Sequence, residues 1–194
     1  MIANEKYQGK YRTKSAHLPF YDYSQNGYYF VTICTKNRIE YFGSVVNDQM
    51  VLSEIGQVIL DHWQAFPENY SSVSLDEFII MPNHLHGILI LREQDNHAKR
   101  RDYKETGQCP VSTNNFSINK LTRRPTLFSI IGAFKSICGR IIKEKQTDIN
   151  FGWQPRFYDH VIRNQESLAK IREYIRQNPQ KWELDKNNVE NLYI

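Results

Sequence analysis

The stretch SVSLDEFIIMPNHLHGILIL, residues 72–91, decides the fold. Its two halves, 72–81 and 84–91, are rich in aliphatic and β-branched residues, which is typical of buried strands. Pro82 and Asn83 stand between the halves and favour a short turn. The sequence therefore predicts a β-hairpin here, as the best-defined part of a sheet.

Further strands are predicted on both sides of this hairpin. Residues 28–35, YYFVTICT, form an unbroken β-branched and aromatic run, and 39–43 is a second, shorter strand candidate. Residues 45–52 predict a small hairpin around Asn47 and Asp48. The segment 151–164 predicts a loop followed by a short strand.

Three helices are predicted from apolar residues spaced three and four apart. Ser53 is a suitable N-cap for the first helix, which Pro67 ends. A second helix of about five turns runs over 127–142. The last covers about 166–177 and stops at Asn178–Pro179. Helices that alternate with hairpin-connected strands favour an α+β fold with an antiparallel sheet.

The length of 194 residues, 23.0 kDa, predicts a single domain over residues 1–194. Residues 1–26 are polar, basic and rich in tyrosine, and predict an extended N-terminal arm. Residues 92–125 have few large aliphatic side chains and predict a variable, mobile loop.

The composition excludes several classes of protein. The sequence has no run of about 18 apolar residues that could span a membrane, and its first residues lack the apolar core of a secretion signal. Three cysteines without a CxxC pair argue against a disulfide scaffold and for a reduced cytosolic setting. The formal net charge of +4 permits a polyanionic partner without requiring one.

His84 and His86 are two residues apart in a predicted strand, so both imidazoles face the same side of the sheet. Two neutral imidazoles on one rigid face can share a divalent metal ion. A rim histidine beside a core histidine explains the same spacing, and a metal centre needs a third ligand from elsewhere in the chain.

Tyr174 and Asn178 are one turn apart on the last helix and therefore share a face, with Lys170 one turn earlier. A tyrosine hydroxyl near a metal ion can attack phosphorus and form a covalent phosphotyrosine. An amide oxygen is a suitable ligand for a hard cation. A packing tyrosine with a surface hydroxyl is the simpler explanation of Tyr174, because the chain has 12 tyrosines.

The ordered set MPNHLHGILI, WQPRFYDHVIRN and IREYIRQNPQKW, preceded by SAHLPFYDYSQNGYYFVTICTKNR, resembles the REP-associated tyrosine transposases, a branch of the single-tyrosine HUH transposases. The resemblance covers about residues 8–185 and leaves out 92–125. It implies a ferredoxin-like or RRM-like antiparallel sheet backed by helices, with a basic N-terminal arm and a C-terminal tyrosine helix.

The resemblance also implies the chemistry. His84 and His86 would hold Mg²⁺ or Mn²⁺ with Asn178 as third ligand, and Tyr174 would be the nucleophile. The implied substrate is single-stranded DNA beside a hairpin formed by a palindromic repeat, cut and rejoined through a 5′-phosphotyrosine. Relatives act as monomers or as homodimers that exchange the tyrosine helix. The implied location is the bacterial cytoplasm, at the nucleoid.

Basic and aromatic side chains are the candidates for gripping DNA, through phosphate contacts and base stacking. The predicted DNA-binding residues are Arg12, Lys14, Lys36, Arg38, Lys135, Arg140, Trp153, Arg156, Tyr158 and Arg163. A solvated surface charge is the simpler explanation of any single basic residue among them, except Arg156, which the resemblance places beside the active site.

Several alternatives stay open at this point. Tyr158 is a second candidate nucleophile, and His160 is a second candidate ligand. A domesticated hairpin-binding protein without cleavage would need neither the tyrosine nor the histidines. A hydrolytic metalloenzyme would want a carboxylate beside the histidines, and the hairpin offers only Asp76 and Glu77. An RRM-like RNA-binding module would want aromatic residues in the middle of adjacent strands.

Overall fold

The computed structural model describes residues 17–93, 125–145 and 150–182. The predictions for residues 1–16 and for 94–124 lie outside these ranges. Within these ranges the strands are β1 (Gly27–Cys34), β2 (Gly43–Val46), β3 (Gln49–Leu52), β4 (Val73–Met81), β5 (His84–Leu91) and β6 (Tyr158–Ile162). The α-helices of the same ranges are α1 (Glu54–Gln64), α2 (Phe66–Asn69), α3 (Leu127–Glu144) and α4 (Gln165–Gln177).

The main sheet has the strand order β4-β5-β1-β6, and all its neighbouring strands are antiparallel. The elements that build it follow the chain order β1-α1-β4-β5-α3-β6, which is the β-α-β-β-α-β arrangement of ferredoxin-like folds. The strands β2 and β3 form a separate two-stranded hairpin. The predicted α+β fold with a ferredoxin-like antiparallel sheet is confirmed.

A polar side chain caps the start of each long helix. Ser53 Oγ accepts a hydrogen bond from the Gly56 N–H at the start of α1, as predicted. Thr126 does the same for α3, and Asn164 does so for α4. Each cap satisfies a backbone N–H group that has no partner inside its helix.

One face of the sheet carries the main core. Tyr29, Val31 and Ile33 alternate along β1, are fully buried and pack against the layer formed by α1 and α3. Trp63 of α1 lies so close to Gly87 of β5 that a Cβ atom at residue 87 would be 2.3 Å from the Trp63 ring. Only glycine fits at this point of the strand.

The opposite face of the sheet is covered by α4. Ile88 and Ile162 of the sheet pack against Leu168, Ile171 and Ile175 of this helix. None of the described helices is long and apolar enough to cross a lipid bilayer. In the part of the chain that the structure describes, the sheet thus separates two packing layers, and α4 covers the face that also holds the histidine pair.

Two ion pairs fasten α4 to strand β4. Arg172 donates two hydrogen bonds to Asp76, at 2.9 and 2.6 Å. Arg176 donates to Glu77 Oε1 at 3.1 and 2.5 Å. The Arg172 guanidinium holds the pKa of the Asp76 carboxyl below its ordinary value. Both carboxylates considered above for a hydrolytic site are thus bound to the tyrosine helix.

The predicted strand at 39–43 is wrong. Backbone N–H groups of this segment bond to turns rather than to a neighbouring strand, as in Ile39 to Lys36 and Phe42 to Pro82. The predicted hairpin at 45–52 is confirmed, with β2 starting earlier than expected. Asn47 and Asp48 have φ values of 50° and 59°, the pair of positive angles that a type I′ turn requires.

Candidate functional site

His84 and His86 lie at the start of β5, with ring centroids 4.4 Å apart. Both are buried, His84 at 4% exposure and His86 at 0%. Burial, together with the positive charge of Arg38, lowers the pKa of His84 to about 3, an effect that a contact with Asn178 partly offsets. Burial also holds the pKa of His86 well below its usual value, with His84 and Arg38 adding to the effect. Both imidazoles are therefore neutral at physiological pH, as metal ligands must be.

Tyr174 on α4 reaches the histidine pair. Its hydroxyl lies 3.2 Å from His86 Nε2, and the two rings are 5.2 Å apart between centroids. Phe30 of β1 stacks on His86 at 5.5 Å and meets the edge of Tyr174 at 6.2 Å. The ring contacts fix the phenol next to the imidazole, within one chain.

Asn178 follows Tyr174 by one helical turn and is fully buried beside His84. Neither side-chain atom of Asn178 completes a hydrogen bond within the described residues, and the same holds for His84 Nε2. Buried polar atoms without partners are costly, and these atoms are available as donors or acceptors to a further ligand. Trp182 covers His84 on the outer side, with ring centroids 5.9 Å apart.

This set of atoms fits a divalent cation. Two neutral imidazoles and an amide oxygen are all uncharged donors, and they leave the charge of an ion available for an anionic phosphate. No group of three or more His, Cys, Asp or Glu side chains suited to a metal occurs within the described ranges. A metal centre in this part of the chain would therefore depend on the histidine pair with Asn178.

The second candidates for nucleophile and ligand lie farther away. Tyr158 is opposite Thr32, and His160 is opposite Phe30, both on the edge strand β6. Strand β1 separates β6 from the strand that carries the histidines. The geometry thus favours Tyr174 over Tyr158 and Asn178 over His160.

Lys170, which the helical spacing placed near the tyrosine, is engaged elsewhere. Its ammonium group donates to Glu166 at 2.7 Å, and both side chains are exposed on the outer surface of α4. Helical spacing predicts the face of the helix on which a residue lies, but not the residue to which its side chain binds. Arg38 is the cation that acts on the histidine pair instead.

The predicted DNA-binding residues are spread over the surface. Arg12 and Lys14 lie outside the described ranges, whereas Lys36, Arg140, Arg156 and Arg163 are exposed. Lys135 donates to the backbone carbonyls of Gln154 and Pro155, and the Trp153 indole donates to the Lys135 carbonyl. These contacts give Lys135 and Trp153 a structural role in holding the loop before β6.

A groove of about 520 Å³ lies along the outer side of α3. Its basic lining comes from Lys135, Arg140 and Lys143, and its apolar wall comes from Phe151 and Trp153. Helix α3 belongs to the layer behind the sheet, so this groove and the histidine pair are on different faces.

Two polar residues of the site were missed by the sequence analysis. Thr32 Oγ1 lies 2.8 Å from His86 Nδ1, and Asn83 Oδ1 lies 2.8 Å from His84 Nδ1. Asn83 is next to His84 in the chain, which was an available signal. Thr32 is 54 residues from His86, and only the pairing of β1 with β5 brings the two together.

The chain thus combines a ferredoxin-like sheet with a buried histidine pair that faces a tyrosine on helix α4. No protein-family model matches the sequence. A Haemophilus influenzae protein whose name assigns no function is 35% identical over 184 residues, covering 94% of this chain and 96% of the relative. The chain belongs to the same family as that protein.

A second Haemophilus influenzae protein carries a functional name, "Putative REP-associated tyrosine transposase". It is 27% identical over 164 residues, covering 82% of this chain and 74% of the relative. The resemblance to the REP-associated tyrosine transposases, inferred above from the sequence motifs, is confirmed.

Two solved structures are similar at low identity. One is a REP-associated tyrosine transposase bound to a REP hairpin, with a TM-score of 0.45, 20% identity, and coverage of 86% of this chain and 73% of that one. The other is described as a "putative transposase" from Deinococcus radiodurans, with a TM-score of 0.40, 14% identity, and coverage of 78% and 89%.

Proposed function

We propose that this protein is a transposase that cuts and rejoins single-stranded DNA beside a hairpin, with Tyr174 as nucleophile. The observation that carries the proposal is the 3.2 Å contact between the Tyr174 hydroxyl and His86 Nε2. Neither histidine nor tyrosine would be needed in this arrangement for DNA binding alone. The resemblance to the REP-associated tyrosine transposases agrees with the proposed substrate.

The reaction is a transesterification at phosphorus. The Tyr174 oxygen forms a bond to the scissile phosphorus while the bond to the 3′ oxygen breaks, giving a 5′-phosphotyrosine and a free 3′-OH. The phenol proton is lost and the leaving 3′ oxygen gains one. One phosphate ester bond replaces another, so rejoining needs no nucleotide cofactor. Attack by a 3′-OH on the phosphotyrosine reverses it and joins the strands.

His84, His86 and Asn178 would hold a divalent ion, Mg²⁺ or Mn²⁺. Such an ion would polarise the phosphate and stabilise the charge that develops on it. The phenyl ring of Phe30 and the imidazole of His86 hold the Tyr174 ring in place. Arg38 adds a positive charge near the histidine pair, where it can attract the phosphate.

The test is an adduct assay. The protein is incubated with a labelled single-stranded hairpin oligonucleotide and Mn²⁺ or Mg²⁺, and the products are separated on a denaturing gel. We expect a covalent protein–DNA band that Tyr174→Phe abolishes and that Tyr158→Phe retains at saturating DNA. Cleavage without an adduct would favour a hydrolase. Hairpin retention without cleavage would favour a domesticated binding protein.

The same assay addresses the exchange of the tyrosine helix between subunits. Tyr174 and both histidines meet within one chain, so the proposed site is complete without a partner. A mixture of Tyr174→Phe and His86→Ala proteins should therefore form no adduct. An adduct from this mixture would show that the tyrosine of one subunit serves the histidines of another in a homodimer.

A further inference from the structure

We propose that Thr32 and Asn83 are positioning residues that fix the ring protons of His86 and His84 on Nδ1 and leave both Nε2 atoms as acceptors. The inference rests on the proposed function, because its use is to prepare two imidazoles for a metal ion. Residues that hold a ligand imidazole through its second nitrogen commonly control metal affinity in this way.

The hydrogen bonds of Asn83 decide the arrangement at His84. Asn83 Nδ2 donates to the Arg38 carbonyl oxygen at 3.1 Å. A carbonyl oxygen can only accept, so the nitrogen of the Asn83 amide must be on this side. This contact orients the amide, so Asn83 Oδ1 faces His84 Nδ1 at 2.8 Å. An amide oxygen cannot donate, and His84 must therefore carry its proton on Nδ1. Its Nε2 atom is then a buried acceptor that has no hydrogen-bond partner among the described residues.

The arrangement at His86 follows from the two hydroxyl groups that it contacts. Thr32 Oγ1 lies 2.8 Å from Nδ1, and the Tyr174 hydroxyl lies 3.2 Å from Nε2. One nitrogen of a neutral imidazole donates and the other accepts. A phenol is far more acidic than an aliphatic alcohol and is the stronger donor. Tyr174 therefore donates to Nε2, and Nδ1 donates to Thr32.

The positions of the two residues in the fold explain why they hold the imidazoles firmly. Thr32 is 1% exposed and lies in the centre of the sheet, directly opposite His86. Asn83 is 5% exposed and occupies the turn before β5. Neither side chain is exposed to water, so each imidazole has one fixed partner at Nδ1.

The first measurement reads the tautomers directly. Long-range ¹H–¹⁵N spectra of the imidazoles distinguish a protonated from an unprotonated ring nitrogen. We expect protonated Nδ1 on both histidines. Thr32→Val would leave the buried Nδ1–H of His86 without its acceptor, so the Nε2-protonated form of His86 should gain population, with the Tyr174 hydroxyl turning to accept. Asn83→Leu should shift His84 in the same way and leave His86 unchanged. Wild-type His86 protonated on Nε2, or an unchanged tautomer in Thr32→Val, would overturn the inference.

The second measurement is Mn²⁺ affinity by calorimetry. Removal of a group that holds a ligand imidazole should raise the Kd by about 10–100-fold. We expect this rise in Thr32→Val and recovery in Thr32→Ser, which restores the hydroxyl. Tyr29→Phe is the matched control, since it removes a buried hydroxyl bond to the Gln25 carbonyl from the other face of the same strand. Its Kd should stay at the wild-type value.

The two measurements separate this inference from the proposed function. A wild-type protein that binds Mn²⁺ no better than the His84→Ala/His86→Ala double variant would refute the metal centre, and the inference would fail with it. A wild-type protein that binds Mn²⁺, with equal affinity in Thr32→Val, would refute the role of Thr32 alone. An equal rise of Kd in Tyr29→Phe would show that the loss reflects general destabilisation and would likewise refute it.

Discussion

The Asp76–Arg172 ion pair should stabilise the packing of α4 on the sheet measurably more than Glu77–Arg176 does. Both pairs join the same helix to the same strand, so one serves as the control for the other. The perturbation is a double-mutant cycle, with Asp76→Ala, Arg172→Ala and their combination, and the corresponding set at 77 and 176.

The magnitude follows from geometry and burial. Arg172 binds both oxygens of Asp76, and the Asp76 side chain is only 11% exposed. A hydrogen bond between charged groups contributes about 1.5–3 kcal/mol, but the Arg172 side chain is 35% exposed and is screened by water. We expect a coupling free energy of about 1 kcal/mol at this pair. Glu77 and Arg176 are more exposed, at 34% and 55%, and their coupling should be smaller.

The assay is equilibrium unfolding in urea for each member of the two cycles, followed by native-state hydrogen exchange of the α4 amides. Hydrogen exchange distinguishes local opening of α4 from global unfolding. A coupling free energy at Asp76–Arg172 no larger than at Glu77–Arg176 would refute the reasoning that burial and two-point contact set the strength. Addition of salt should reduce the exposed coupling more than the buried one.

Three further predictions concern stability. Gly87→Ala should destabilise the fold by about 1–3 kcal/mol in urea unfolding, because the Trp63 ring blocks a Cβ atom; a smaller loss would mean that the ring moves aside. Asp48→Gly should stabilise by about 0.5–1 kcal/mol, since glycine adopts the positive φ of this turn position without strain, and an unchanged melting temperature would contradict this. The pKa of Asp76 is lowered in the folded state, so its contribution is present above about pH 4 and is lost as pH falls through the folded pKa. Asp76→Asn should remove that part of the acid dependence of unfolding, and an unchanged pH profile would contradict the assignment.

Much of the fold could be predicted because its signals are local. The aliphatic run that follows His84 identifies a strand buried on both faces, and the helical spacing of Leu168, Ile171 and Ile175 identifies a helix and its buried side. The wrong prediction of a strand at residues 39–43 also came from a local signal. An aromatic run also suits a surface loop that buries one side chain: Phe42 is fully buried, whereas Ile39 is 46% exposed and the backbone bonds to turns.

The candidate site was predictable only in part. Spacing gave the shared face of His84 and His86, whereas their meeting with Tyr174 came from the resemblance to a family. Contacts such as Thr32 to His86 depend on which strands pair and in which register, and no local pattern contains that information. Lys170 illustrates the converse, because a correct helical face still left its partner undetermined.

The four consecutive residues from His84 to Gly87 belong alternately to the two sides of the sheet. His84 and His86 face the tyrosine helix, Leu85 is fully buried in the main core, and Gly87 admits the ring of Trp63. Each position is thus constrained for a reason that its neighbours do not share. Saturation mutagenesis scored for folding alone should accept more exchanges at the two histidines, where side chains suited to a buried site fit, than at Leu85 and Gly87. In a screen for the proposed DNA cleavage, all four positions should reject exchanges, and the positions that fail in this screen alone would be the ones needed for the reaction rather than for folding.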